Sequence, residues 1–495
     1  MIVIPNLKLA PGADEAALKA LAAKALKIPA GDITGLRIRK KSLDARRKDD
    51  IHYVYTVGVT VHGDEQRLVR RCRSAAIAQD KTYPIPHITP PQTRPVIVGF
   101  GPAGMFAALL LARAGARPIV LERGPDARTR SAQIAAFRAG GAFDPECNVQ
   151  FGEGGAGTFS DGKLNTGTHD ARIGFVLAEF AAHGAPEHIT YDAKPHIGTD
   201  VLVEVVQSLR REVIVRDGEV RFGHRMTGLS TQDGRITALT VRSPEGEYTL
   251  PAQQVILAIG HSARDTFEML HAQGVPMEPK PFSMGVRIEH RQSDINTAQY
   301  GAAADRLPAA DYSLSCHLPD GSSAYTFCMC PGGEVFAAAS EQGGVCTNGM
   351  SNSRRDGENA NAAVLCEVRP SDFGSADPLA GVELQRTWER AAFLAGGGDY
   401  RAPAQRLGDF LAGKPSESAG SVAPTYPLGV RFGTLDGCLP EFVLAALREA
   451  FPLFDKKLRG YAMPDAVLTG VETRSSSPVR IVRGETGQSN LRGVY

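Results

Sequence analysis

The feature that most constrains the fold is the stretch 96–124. A short apolar run, Val96-Ile97-Val98, leads into glycines at 99, 101 and 104, then an apolar segment, then a second run, Ile119-Val120-Leu121, that ends in Glu122. Each glycine has a separate physical reason. Gly99 permits a tight turn, Gly101 lets the backbone approach a pyrophosphate, and Gly104 lets a helix pack close to the first strand. The helix start offers unpaired N–H groups and a favourable dipole to phosphates. Glu122 lies 23 residues after Gly99, where a carboxylate meets ribose hydroxyls. The pattern predicts a Rossmann-type βαβ unit that holds a dinucleotide. A glycine-rich turn without a ligand is the alternative, because the chain holds 53 glycines. Both strands, the helix and the acid nevertheless occur together.

The remaining chain reads as several domains, since 495 residues exceed what one core encloses. Residues 1–90 form a basic α+β block with 16 Lys or Arg against 9 Asp or Glu, in a chain of net charge +1. Within it, 2–4 with 7–9, 36–40 and 53–61 read as strands, and 14–26 reads as an amphipathic helix. Five prolines between 84 and 95 mark a linker. Alternating strands and helices follow over 91–275, the first part of a Rossmann-like domain. Residues 276–455 are less regular. Strands are expected at 282–289, 324–330 and 335–339, and helices at 381–395 and 440–451. The Gly-, Ser- and Asn-rich stretch 343–361 reads as a long loop or lid. Residues 456–495 close the chain. The fold class is α/β, with a Rossmann-like domain and a small N-terminal α+β one.

Composition excludes some functions. The near-zero net charge sets up no global field toward nucleic acid or membrane. The opening residues do not read as a signal peptide, and the longest apolar stretch, 105–116, is shorter than a membrane span. Eight scattered cysteines suit a reducing compartment, so cytoplasm is the expected location.

Pro102-Ala103 inside the turn and Glu122-Arg123-Gly124 after the second strand resemble FAD-binding members of the glutathione-reductase-like superfamily. The run 254–260 (QVILAIG) agrees, resembling the strand with which that superfamily's FAD domain returns beside the cofactor. The segment 148–164 (NVQFGEGGAGTFSDGKL) resembles a bacterial family of FAD-dependent dehydrogenases of uncharacterised substrate. Further matches are 194–200 (KPHIGTD), 284–290 (MGVRIEH), 327–333 (FCMCPGG), 347–351 (TNGMS) and 471–478 (VETRSSSP). This resemblance implies a Rossmann-like FAD domain made of discontinuous segments, 91–275 and 456–495, with the α+β substrate domain 276–455 inserted between them. The sequence offers no evidence for a covalent link, so a non-covalent FAD is expected. The residues expected at it are Gly99, Gly101, Pro102, Ala103, Gly104, Glu122, Arg123, Gly154, Gly155 and Gly260, with the 152–157 loop along the flavin. In that family the segment 490–495 (NLRGVY) runs on into a Gly-Glu pair, a Gly-rich turn and a final helix, so the resemblance implies a C-terminal truncation. No second glycine motif stands in a strand–helix context. Either NAD(P)H binds transiently as electron donor without one, or electrons come from elsewhere.

Other residues have competing readings. Cys328 and Cys330, on one face of a strand, are either a redox pair or buried structural thiols. His261 is either a proton donor near the cofactor or a hydrogen-bonded loop histidine. The resemblance alone makes Arg287 and His290 substrate contacts and places Arg474 with Ser475, Ser476 and Ser477 beside the flavin. No spacing suits a metal. The densest charge, around Arg37–Lys41 and Arg46–Lys48, is either a solvated face or a surface for RNA or an acidic partner. The expected function is a FAD-dependent oxidoreductase, a dehydrogenase of a small organic substrate, with catalytic residues unassigned. The alternative is a non-catalytic nucleotide-binding or RNA-associated protein that uses the basic N-terminal domain.

Overall fold

The computed structural model describes residues 1–79 and 83–495. Its contacts divide into two units: Met1–Ile85 with Lys163–Ile197 and Ser293–Ala310, and Pro86–Gly162 with Gly198–Gln292 and Asp311–Tyr495.

In the first unit, β1 (Ile2–Leu9), α1 (Ala17–Leu26), β2 (Ile33–Asp44), β3 (His52–Val61), α2 (Glu65–Arg71) and β4 (Ala76–Ile77) follow in order. The strands pair antiparallel in the order β2-β3-β1-β4, a split βαββαβ arrangement. Leu18, Ala22 and Leu26, four residues apart on α1, pack on Ile2 and Ile4 of β1 and on Tyr55, Val57 and Val59 of β3. The helix starts at Ala17 rather than Asp14, because the Asp14 carboxylate accepts the Ala16 N–H in a local turn (2.8 Å). Much of the basic run is neutralised by its own neighbours: Arg46 pairs with Asp44 and Arg47 with Asp49.

The second unit opens with β5 (Val96–Val98), α3 (Pro102–Arg113), β6 (Ile119–Glu122) and α4 (Ala127–Arg138). Helix α5 (Arg172–Ala182) lies in the first unit; α6 (Thr199–Val215) and β7 (Glu219–Phe222) return to the second. An antiparallel meander of β8 (Arg225–Gln232), β9 (Arg235–Ser243) and β10 (Gly246–Pro251) precedes β11 (Val255–Leu257) and α7 (Arg264–Ala272). The sheet β11-β5-β6-β7 is parallel throughout. Its central strands β5 and β6 are buried along their whole length, as expected of a covered parallel sheet, while the edge strand β7 is half-buried and carries Glu219 and Arg221. Val96, Leu121, Leu239 and Val255 share one buried cluster.

After β12 (Met277–Pro279) and β13 (Phe282–Arg291), helix α8 (Gln292–Tyr300) leads out to the first unit. The chain continues as β14 (Ser315–His317), β15 (Ser323–Cys330), β16 (Glu334–Ala337), β17 (Thr347–Met350), β18 (Asn359–Val368), α9 (Ala380–Gly396) and β19 (Ala402–Arg406). It ends with α10 (Leu407–Leu411), β20 (Val430–Phe432), α11 (Glu441–Lys457), β21 (Val467–Glu472) and β22 (Val479–Ile481). A seven-stranded sheet runs β14-β15-β18-β13-β21-β19-β20.

The stretch 343–361 is not a long loop: it contains β17 and the start of β18, which pairs along the whole of β13. The two thiols of β15 do not sit on a regular strand either. A bulge between Phe327 and Cys330 puts Cys328 at φ +43° and half-buried, while Cys330 is buried with its Sγ 3.2 Å from the Cys328 carbonyl. No helix among the described residues is long and apolar enough to cross a membrane.

One buried ion cluster joins α7, α9 and the turn after β21. The Glu389 carboxylate accepts from Arg264 (2.8 and 2.9 Å), from Arg474 (2.7 and 2.9 Å) and from the Thr473 hydroxyl (2.7 Å). Burial opposes its ionisation, but the two guanidinium groups outweigh that and hold the carboxyl well below its ordinary range. Removing this single charge would leave both buried arginines undercompensated. Glu389→Gln is therefore expected to destabilise the protein by about 3–5 kcal/mol, measured by chemical denaturation.

Candidate cofactor site

A cavity of about 630 Å³ lies where the carboxyl ends of β5, β6 and β11 meet, lined by residues that follow each of them. Ligands of open parallel sheets bind at this edge. Gly99, Gly101, Pro102 and Ala103 come from the turn into α3, Glu122 and Arg123 from the end of β6, and Gly260 and His261 from the end of β11. Gly155, Ala156 and Gly157 face the cavity from the following loop.

Several of these glycines are ones the protein itself needs. Gly99 has φ +99°, and a Cβ there would stand 2.4 Å from the Ala258 carbonyl oxygen. A Cβ on Gly104 would stand 2.0 Å from the Gly99 oxygen, and one on Gly154 1.7 Å from Thr158 Oγ1. Gly104 and Gly154, both expected at the cofactor, are not part of the cavity lining; they hold the wall together from behind. Gly101 differs. Its φ is −76°, and the atom nearest to a Cβ at this position would be Gly155 Cα at 3.7 Å. Neither conformation nor packing demands glycine there.

The turn delivers α3 end-on to the cavity. The first intrahelical bond runs from the Met105 N–H to the Gly101 carbonyl (2.9 Å), and no side chain caps the helix. Pro102 at the first position has no N–H to satisfy, and the remaining first-turn N–H groups are the donors a phosphate needs.

Glu122 does more than its position suggests. Its buried carboxylate accepts three backbone N–H groups: Phe100 on Oε2 (2.7 Å), and Gly124 and Gly152 on Oε1 (2.9 Å each). It thereby ties the glycine turn to the end of β6 and to the 148–157 loop. Arg130 on α4 holds the same loop from the opposite side, donating to the carbonyls of Asn148 (2.9 Å), Glu153 (2.8 Å) and Gly155 (2.8 Å). Burial lowers its guanidinium to about 10, against the opposing pull of Glu122. Arg123 lies 4.0 Å over the Phe151 ring and pairs with Glu146 and Asp265, which Arg225 also bridges.

His261 also lines the cavity. Its Nδ1 is buried and has no hydrogen-bond partner among the described residues. Burial, reinforced by Arg474 and Arg264, pushes its imidazole down to about 4. Three other expected residues have different places. Arg287 is fully buried and bonded to Glu472, Asn361, Asn348 and the Cys328 carbonyl, so it is an internal tie and no substrate contact. His290 is likewise buried, its Nε2 2.7 Å from the Tyr461 carbonyl oxygen. Arg474 commits its guanidinium to Glu389, Ser262 and Ser340, and neither it nor Ser475, Ser476 or Ser477 lines the cavity. Met226, Lys280 and Arg483 line it without any sequence motif to announce them. Among the described residues no cluster of three His, Cys, Asp or Glu is arranged to hold a metal.

Two glycine variants should behave oppositely. Gly101→Ala is expected to keep the thermal midpoint while weakening binding of an adenine dinucleotide about tenfold or more, roughly 1.4 kcal/mol. Gly104→Ala should lower the midpoint itself, because its Cβ meets fixed backbone. Isothermal titration and thermal denaturation of both proteins check this.

Comparison with known proteins places this geometry. Residues 281–475 match the model of the C-terminal-like domain of FAD-dependent proteins, and residues 92–143 match an FAD-binding domain. Residues 1–60 match a domain of unknown function. An uncharacterized protein of Clostridium beijerinckii is 44% identical over 502 aligned residues, covering 100% of this chain and 93% of that one. Similar solved structures include a glycerol-3-phosphate dehydrogenase from Bacillus halodurans complexed with FAD (10% identity, TM-score 0.29, 55% of this chain and 46% of that one). Another is an anhydrotetracycline hydroxylase from Streptomyces rimosus (19% identity, TM-score 0.25, 58% and 48%). This chain thus spans about half the length of those solved structures. With the full-length relative the chain belongs to the family of the Clostridium protein, and its domain matches make it an FAD-binding protein of that family.

Proposed function

We propose that this chain is a dehydrogenase that oxidises a small organic substrate with a non-covalently held FAD in the cavity between β5, β6 and β11. The observation that carries the reading is Gly101, a glycine at the mouth of an uncapped helix that the protein's own packing does not require. Bound there, FAD supplies the acceptor for a hydride or electrons, while the protein supplies orientation and electrostatics.

In this reading Gly99, Gly101, Pro102, Ala103 and Gly104 form and support the pyrophosphate cradle. Glu122 has two carboxylate oxygens with about four acceptor sites, and three are taken by backbone. The remaining capacity, on Oε2, suits one ribose hydroxyl. Arg123 walls the nucleoside end, Gly154 and Gly155 shape the loop along the flavin, and Gly260 turns the chain away from β11. The seven-stranded sheet is the substrate side. All eight cysteines are free thiols, which supports a reducing, cytoplasmic setting.

The absorbance spectrum of protein purified without added cofactor tests the reading. Bands near ~370 and ~450 nm, released by denaturation as free FAD, are expected, followed by bleaching with one class in a panel of small alcohols, amines and acids. Protein that stays colourless after FAD titration would overturn it, and bands that survive denaturation on the polypeptide would overturn the non-covalent part.

A further inference from the structure

His261 is a half-buried titratable side chain of the cavity wall. It stands at the carboxyl end of β11, directly after Gly260, whose φ of +69° turns the chain along the cavity. Its Nδ1 is buried and meets no partner among the described residues, whereas Arg264 and Arg474 beside it are both bonded to Glu389. The charged groups that act on it come from four elements. Arg264 opens α7, Arg474 follows β21, Glu389 projects from α9, and Lys280 lies between β12 and β13.

Three of these neighbours, Arg264, Arg474 and Glu389, are fixed, while Lys280 is exposed. Glu389 is bonded to both arginines, and Arg474 also donates to Ser262 and Ser340. Three cations against one committed carboxylate favour the uncharged imidazole. A negative charge arriving in the cavity would reverse that preference, because an opposite charge within ~4–6 Å raises such a group by about 1–3 pH units.

We propose that His261 is the proton acceptor coupled to reduction of the cofactor: neutral in the oxidised protein, it takes up a proton when two electrons enter the cavity. The charges balance. Two electrons come from the reductant, one proton from water follows them onto the isoalloxazine, and a second goes from water to the imidazole. The net charge of the cavity is unchanged. The proposal rests on the flavin occupying this cavity, and the two can fail separately. A flavin seated elsewhere would leave FAD affinity untouched by Gly101→Ala. A wrong role for His261 would leave FAD bound with proton uptake unaltered.

The test is a redox titration of the FAD-loaded protein with dithionite against reference dyes, repeated between about pH 4.5 and 6, where the proposed shift places the transition. The dependence of the midpoint potential on pH counts protons taken up per two electrons. Wild type is expected to take up one more than His261→Asn or His261→Gln. Equal uptake in all three would overturn the proposal. A measurement on wild type alone guards against misfolded variants. In protein labelled with ¹³C-histidine, the His261 ring signal should move from the neutral to the imidazolium position on reduction near pH 5. A signal that stays neutral in the reduced protein would overturn the proposal as well.

Discussion

The Glu122 carboxylate, with its three backbone donors, is the junction on which the cavity depends. Phe100 belongs to the glycine turn, Gly124 to the chain leaving β6, and Gly152 to the loop that faces both. A charged acceptor in a buried setting makes each bond stronger than an ordinary one, at roughly 1.5–3 kcal/mol. Arg130 supplies the complementary half, a buried cation bonded to carbonyls of the same loop. One residue organises N–H groups and the other organises C=O groups. Between them, a glycine-rich loop that would lose much entropy on ordering is held in a single conformation.

The surrounding charges follow the same pattern. Arg123 and Arg225 alternate with Glu146 and Asp265 at one end of the cavity, and Arg264 and Arg474 share Glu389 near the other wall. Such groups are committed to one another, so they shape the cavity more than they attract a ligand. What is left to meet a dinucleotide is mostly backbone: the start of α3, the glycine turn and the 155–157 segment. Recognition of this kind selects phosphates and a long, thin molecule, while substrate choice lies with other residues.

Much of the nucleotide half was legible in the sequence, because its elements are local. The apolar runs, the glycines and Glu122 fall within 29 residues, 96–124, and their spacing carries the geometry. The chain beyond residue 276 was less legible because its polar residues are explained only by distant partners. Asn359 and Asn361 look like loop residues, yet in β18 they bond Glu289 and Arg287 of the neighbouring strand. Arg287 resembled a substrate contact until Glu472, 185 residues away, proved to be its partner. Arg130 gave no signal at all, since an arginine on a polar-looking helix reads as solvated, and only the fold brings the 148–155 carbonyls around it. The bulge at Cys328 was equally invisible, because a regular strand was the simplest reading of alternating residues.

Whether Gly101 and Glu122 form the dinucleotide cradle is decided by a crystal structure of the protein grown with FAD. Pyrophosphate density is expected against Gly101 and the first turn of α3, with a ribose hydroxyl at Glu122 Oε2 and no rearrangement of the three backbone bonds to that carboxylate. Ordered FAD elsewhere, or a Gly101 turn that stays clear of phosphate while FAD is bound, would contradict it.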